Sequence, residues 1–183
     1  MTDNHSPRSC VIAFLLMASM LTCQAFARHG HRNHPKPAPY QLGPETAGEL
    51  LALHNAERAK EGVPPLKIDP KLTEAARKYA DYLAATGGKG HLAEGNPGTR
   101  IKATGYRPAA FAENMAKGPG SPKAVVRAWM RDAHRKTILN PRYRAVGFGY
   151  AKGPAGGIVW VADFGSSLPD KPMHRGRHRK KRK

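Results

Sequence analysis

The chain has 183 residues, a length typical of one domain, and its 31 lysines and arginines outnumber 13 acidic residues to give a formal charge of +18. Hydrophobic residues make up 40% and aromatic residues 7%, enough for one modest core, which excludes a wholly disordered chain. The longest apolar run, residues 11–21, is far shorter than the roughly 20 residues of a membrane-spanning helix, which excludes a polytopic membrane protein.

The start of the chain has the three parts of a secretory signal peptide. A short segment with Arg8 precedes the apolar run, and an Ala-Phe-Ala cleavage pattern ends at Ala27. The sequence therefore predicts a signal peptide over residues 1–27 and a secreted or periplasmic protein.

Both cysteines, Cys10 and Cys23, fall inside the predicted signal peptide. The mature chain is therefore expected to be disulfide-free and to have neither a thiol nucleophile nor a zinc–thiolate site. A lipid anchor on Cys23 is the weaker alternative, because Thr22 stands where a small Ala or Gly is expected.

Two basic flanks surround the rest of the chain. Residues 28–43 combine His, Arg and Lys with prolines and have little to bury, which predicts a linker. Residues 169–183 are predicted to be a disordered polybasic tail, because positions 171–183 carry eight mutually repelling Lys and Arg and no acid. The folded domain is expected over residues 44–168.

The first predicted element is a helix. Thr46 and Glu49 have the spacing of a capping box, and Leu50, Leu53 and His54 follow at helical spacing. We expect the helix to begin at this capping box and to end by the following glycine.

Three more helices are predicted by N-cap residues that stand directly before proline, namely Asp69, Asn96 and Ser121. The second helix of the chain has the firmest periodicity. Its buried face is predicted to comprise Leu72, Ala75, Ala76, Tyr79, Ala80 and Leu83.

The last third of the chain has a strand pattern. Val146, Phe148 and Tyr150 alternate with glycines, and a Gly/Pro-rich turn then leads into β-branched and aromatic residues at 158–164. This predicts a hairpin. Helices followed by antiparallel strands, without regular β-α-β alternation, predict an α+β domain.

Several short motifs along residues 50–165 together resemble one family. They are HNAER at 54–58, GVPPL at 62–66, GH at 90–91, AENMA at 112–116, WM at 129–130, HRKTILN at 134–140, VGFG at 146–149 and WVADFG at 160–165. Their order resembles that of the CAP superfamily (cysteine-rich secretory proteins, antigen 5 and pathogenesis-related proteins). Because no disulfide is expected, the chain most resembles the bacterial SCP-like secreted branch of this superfamily. The resemblance implies a single-domain α-β-α sandwich with a central antiparallel sheet.

The resemblance also implies a cleft built around two histidines and two acidic residues. The matching positions are His91, Glu113 and His134, with Asp132 the nearest candidate for the second acid, although its segment is one residue shorter than usual after Trp129. Two neutral imidazoles with a carboxylate can hold a divalent metal such as zinc and leave one position open. His91 and His134 are therefore the expected metal ligands, and a metal-free cleft is the alternative.

The other motif residues are expected to be structural. His54, Asn55 and Arg58 share the first helix with apolar residues, where polar groups usually satisfy backbone or pair with an acid. Asn114 is expected to fix a loop, and Trp129 to lie in the core.

Three functions follow from these patterns. We favour a secreted non-catalytic binding module for a metal, a small ligand, a lipid or a sterol. The alternative is a metal-dependent hydrolase in which His91 and His134 hold the metal and Glu113 is the general base. The chain lacks HExxH and GxSxG motifs, which disfavours an enzyme.

The third function is attachment of a monomer to an anionic cell envelope or membrane surface through residues 171–183. Specific nucleic-acid recognition is not expected, because this tail has no interleaved aromatic residues and no helix-turn-helix, RRM or zinc-finger pattern accompanies it.

Overall fold

A computed structural model describes residues 43–154 and 156–169 of the chain. The predicted signal peptide, nearly all of the predicted linker and the tail from residue 170 lie outside these residues. Within the described part, no helix has the length and apolar composition needed to cross a bilayer. The elements are α1 (Pro44–Lys60), β1 (Lys67–Ile68), α2 (Pro70–Thr86), α3 (Pro97–Ala103), β2 (Pro108–Lys117), α4 (Pro122–Trp129), α5 (Arg135–Ile138), β3 (Ala145–Lys152) and β4 (Ile158–Ser167).

The described strands form one mixed sheet in the order β1-β3-β4-β2. The β3–β4 hairpin and the β2–β4 pair are antiparallel, whereas the two-residue β1 runs parallel to β3 at the edge. The predicted α+β class is confirmed, and the sheet is antiparallel apart from this short edge strand. Asn114 lies within β2 and pairs with Ala162, and from this strand its side chain holds the turn before α5, since Nδ2 donates to the His134 carbonyl at 3.2 Å.

Helices cover both faces of the sheet. Successive residues of β4 point to opposite faces, and they divide between two cores accordingly. Trp160 and Phe164 pack in the core that contains Trp129 of α4. Val161 packs with Tyr79 of α2 in the core on the other face. This is the expected three-layer arrangement.

Two glycines let α2 lie directly on β3. A Cβ atom on Gly147 would be 2.0 Å from the backbone nitrogen of Thr73, and one on Gly149 would be 2.1 Å from the carbonyl oxygen of Ala76. The alternation of glycine with larger residues in β3 therefore has a packing cause. The glycine side contacts a helix backbone, and the other side contributes Val146 and Phe148 to the core.

The predicted helix starts are confirmed at three of four positions. The side chains of Asp69, Asn96 and Ser121 each accept a hydrogen bond from a backbone N–H of the helix that follows. The prediction that the first helix begins at a capping box at Thr46 is wrong, because α1 already begins at Pro44. Proline is favoured at the first helical position. The predicted face of α2 is buried at every position.

Candidate functional site

The first predicted histidine is held by the first predicted acid. His91 lies in the turn between α2 and α3, and its Nδ1 is 2.7 Å from Oε1 of Glu113 on β2. The Glu113 side chain is 1% exposed and the His91 side chain is 44% exposed. A buried carboxylate therefore orients a solvent-facing imidazole.

Arg100 of α3 occupies the other oxygen of Glu113. Its Nη2 donates to Oε2 at 2.6 Å, and its Nη1 donates to the backbone carbonyls of Gly95 at 2.6 Å and His91 at 3.1 Å. The guanidinium carbon lies 3.4 Å from the centroid of the Tyr79 ring, a cation–π geometry. Arg100 thus ties the His91 turn to both Glu113 and α2.

A second buried acid stands beside Glu113. Asp163 on β4 lies opposite Glu113 in the strand register and is 1% exposed. Burial raises the pKa of Asp163 well above its usual value, the Glu113 charge raises it further, and Arg100 opposes this in part. The sequence analysis assigned neither Asp163 nor Arg100 to the cleft. The available signal was an acid inside the apolar run of β4.

The second histidine has its own carboxylate partner. Nδ1 of His134 is 2.6 Å from Oδ1 of Asp132, which also accepts from the His134 backbone N–H at 2.8 Å. Burial alone would raise the pKa of Asp132, but these hydrogen bonds and the His134 charge lower it below its usual value. The side chains are 29% exposed for His134 and 52% for Asp132.

Strand β2 holds both histidine segments. Glu113 binds the His91 ring, and the next residue, Asn114, donates from Nδ2 to the His134 carbonyl at 3.2 Å. The four predicted cleft residues therefore form two pairs, His91–Glu113 and His134–Asp132. Asp132 pairs with its neighbouring histidine, and no contact joins it to Glu113 among the hydrogen bonds of the described residues.

The donor set fits a divalent cation in one respect and not in another. In both pairs Nδ1 faces a carboxylate, the arrangement that commonly orients an imidazole whose Nε2 binds a metal. In residues 43–154 and 156–169, however, no group of three or more His, Cys, Asp or Glu side chains is placed to hold a metal ion. The two Nε2 atoms are the nitrogens available for a ligand, whereas Glu113 already has both oxygens engaged.

Arg58 and Asn55 connect α1 to distant backbone. The Arg58 guanidinium is fully buried and donates to four carbonyl groups. Asn55 accepts from the Leu66 N–H at 2.8 Å and donates to its carbonyl at 3.1 Å. The acceptors of Arg58 are the carbonyls of Pro64, Ile138, Asn140 and Tyr143.

His54 and Trp129 lie in the core, away from solvent. His54 is 0% exposed, its Nδ1 is 2.7 Å from the Leu50 carbonyl, and its ring centroid is 5.8 Å from that of Trp129 and 5.1 Å from that of Phe148. Burial lowers the pKa of His54 to about 4. This histidine is therefore a neutral core residue.

The chain is similar in sequence to several known proteins. It is 36% identical to YkwD of Bacillus subtilis over 119 residues, which cover 63% of this chain and 45% of that protein. It is 30% identical over 114 residues to the Golgi-associated plant pathogenesis-related protein 1 of Homo sapiens, covering 61% and 64%. The matches thus span less than two thirds of these relatives' own lengths.

Two solved structures have the same fold. An extracellular SCP-domain protein of Bacillus anthracis superposes with a TM-score of 0.62 at 20% identity, covering 70% of this chain and 47% of the other. An outer surface protein of Borrelia burgdorferi gives 0.65 at 23% identity, covering 72% and 100%. Residues 51–164 match the cysteine-rich secretory protein (CAP) family, and the chain belongs to it.

Proposed function

We propose that this protein is a secreted, non-catalytic binding module that contacts its ligand through the imidazoles of His91 and His134. The observation that carries the proposal is that each ring has Nδ1 fixed by a carboxylate, at 2.7 and 2.6 Å, while its side chain remains partly exposed. Nε2 of each ring is then the nitrogen that faces a ligand.

A divalent cation such as zinc is the simplest ligand for two neutral imidazoles. When bound, it would supply a Lewis-acidic centre for an anionic or carbonyl group of a second ligand. Among the described residues, no third side chain is placed to complete a metal site with the two imidazoles. We therefore expect zinc to bind more weakly than at a site with three protein ligands. A lipid or sterol whose polar group hydrogen-bonds to the same nitrogens is the metal-free form of this proposal.

Binding is preferred to hydrolysis because of the state of Glu113. A general base must reach the water molecule that it deprotonates. The Glu113 side chain is 1% exposed, and its oxygens contact His91 and Arg100. Glu113 is therefore better placed to hold His91 than to activate water.

Zinc titration by calorimetry of the full chain tests the proposal. We expect binding in the wild type and its loss in the His91→Ala/His134→Ala double variant. If both rings share one ion, each single variant should lose nearly as much zinc affinity as the double variant. The matched control is His31→Ala/His34→Ala, which removes two histidines from the predicted linker. Equal uptake by the wild type and the double variant would contradict zinc binding by these residues.

We further propose that the polybasic segment 171–183 attaches the domain to anionic surfaces by counterion release. Export is supported by the signal-peptide pattern and by relatives described as extracellular or outer surface proteins. Binding to vesicles with phosphatidylserine should fall on deleting 171–183 and on adding salt. Vesicles of neutral lipid are the control, and unchanged binding after the deletion would reject this role.

A further inference from the structure

Two carboxyl groups lie side by side on one face of the sheet. Glu113 and Asp163 are directly opposite in the antiparallel register of β2 and β4. Residues so paired have Cβ atoms about 5 Å apart on the same face. Asp163 and the Glu113 side chain are each 1% exposed. Water therefore does not screen the interaction between them.

Among the residues that the structure describes, the groups that contact this pair supply one buried cation. Arg100, whose side chain is 10% exposed, contacts Oε2 of Glu113, and its guanidinium lies over the ring of Tyr79. If both acids were ionised, one buried negative charge would have no buried counterion, and such charges are strongly disfavoured. One of the two acids is therefore expected to hold a proton.

The hydrogen bonds indicate which acid holds it. Both oxygens of Glu113 are already engaged, one by Nδ1 of His91 and the other by Nη2 of Arg100. Oδ1 of Asp163 has no hydrogen-bond partner among the residues that the structure describes. An ionised Asp163 would leave this buried oxygen unsatisfied, whereas a protonated Asp163 can donate to Glu113.

Tyr106 is another titratable group on this face of the described residues. The Tyr106 hydroxyl lies against Gly165, two residues beyond Asp163, since a Cβ atom on Gly165 would be 2.6 Å from it. Burial, with a smaller contribution from Asp69, raises the pKa of Tyr106 to about 12. It therefore adds no negative charge beside the pair.

We propose that Asp163 is a positioning residue of the binding site, a carboxylic acid that keeps its proton at neutral pH and donates a hydrogen bond to Glu113. Glu113 is then fixed between Arg100, His91 and Asp163, and it holds the His91 ring with Nδ1 engaged and Nε2 available. Only the effect on ligand binding rests on the proposed function above.

Infrared spectroscopy of the full chain at pH 7 tests the protonation state directly. Carboxyl groups with ordinary pKa values are ionised at this pH, so a carboxylic acid C=O stretching band marks a group that keeps its proton. We expect the band in the wild type and its loss in Asp163→Asn. The matched control is Asp132→Asn, which should keep the band because the pKa of Asp132 is lowered. A wild type without the band, or a band that survives Asp163→Asn, would overturn the proposal.

The positioning role is tested by comparing Asp163→Ala with Asp163→Asn. Alanine removes the donor to Glu113, so NMR signals of the His91 ring should broaden and zinc affinity should fall by about tenfold. Asparagine retains an N–H donor, so Asp163→Asn should keep the His91 ring signals sharp and retain most of the zinc affinity. Equal damage by the two variants would refute the donor role. The infrared and NMR readouts need no zinc, so a protein that binds no zinc would reject zinc as the ligand of the proposed site and leave this test intact.

Discussion

Nη1 of Arg58 donates to the carbonyl of Ile138 at 2.6 Å, although 80 positions separate the two residues. The same guanidinium also binds the carbonyls of Pro64, Asn140 and Tyr143. It thus joins α1 to the loop before β1, to the end of α5 and to the segment between α5 and β3. The turn that carries His134 lies directly before α5.

We predict that Arg58→Ala lowers the free energy of unfolding by roughly 3–5 kcal/mol, because it leaves several buried carbonyls without a donor. Arg58→Lys should fall between the wild type and Arg58→Ala, since an ammonium cannot reproduce the planar fork of donors. Urea unfolding of the full chain measures both.

The control for Arg58 is Arg127→Ala, at an exposed position of α4, which should stay within about 0.5 kcal/mol of the wild type. If Arg58→Lys proves as stable as the wild type, the guanidinium geometry is not what this part of the fold requires.

The two histidine pairs should respond independently to mutation. Asn114→Ala removes the donor to the His134 carbonyl, so we expect NMR signals of the His134 ring to broaden while those of His91 stay sharp. The loss of this bond should also lower the free energy of unfolding by about 1–2 kcal/mol. Glu113→Gln is the reciprocal variant and should affect His91 alone. Broadening of both rings in either variant would show that the pairs are coupled.

Helix α2 was predicted well because residues within the helix or next to it determine its start, its buried face and its end. Asp69 and Pro70 fix the first turn, and Gly87 ends the helix in the left-handed conformation at φ 70°. The limits of such a helix can be predicted without knowing its tertiary contacts.

Strand β2 was not predicted, because its composition is rich in alanine and includes Glu113 and Lys117, which favour helix over strand. Its conformation comes from pairing along β4, a contact between distant parts of the chain. The same register brings Asp163 beside Glu113. The sequence alone does not reveal this strand register. It could therefore indicate Glu113 through its motif, but not Asp163, its neighbour across the sheet.

Glycine positions in the fold should differ sharply in their tolerance of alanine. Gly149→Ala places a methyl group against the backbone of α2, which cannot move aside as a side chain can. We expect a loss of roughly 3 kcal/mol or more, or no folded protein.

Gly48→Ala is the matched change for this comparison. Gly48 lies inside α1, is exposed and has nothing within 4 Å of its Cβ position. Alanine should therefore raise the free energy of unfolding by about 0.5–1 kcal/mol through its helix propensity. Thermal and urea unfolding measure both variants. A well-tolerated Gly149→Ala would contradict the close contact between α2 and β3.

His54 should make the protein less stable in mild acid. Burial lowers its pKa from 6.5 to about 4 in the folded state, so between these pH values the unfolded chain binds more protons than the native one. Stability is therefore complete above about pH 6.5 and falls as the pH drops toward 4, by about 3 kcal/mol through this group alone. His54→Leu removes the titrating ring and keeps an apolar side chain among Trp129 and Phe148. Urea unfolding at several pH values should show a flatter dependence in this variant, and an unchanged slope would mean that other groups cause the acid sensitivity.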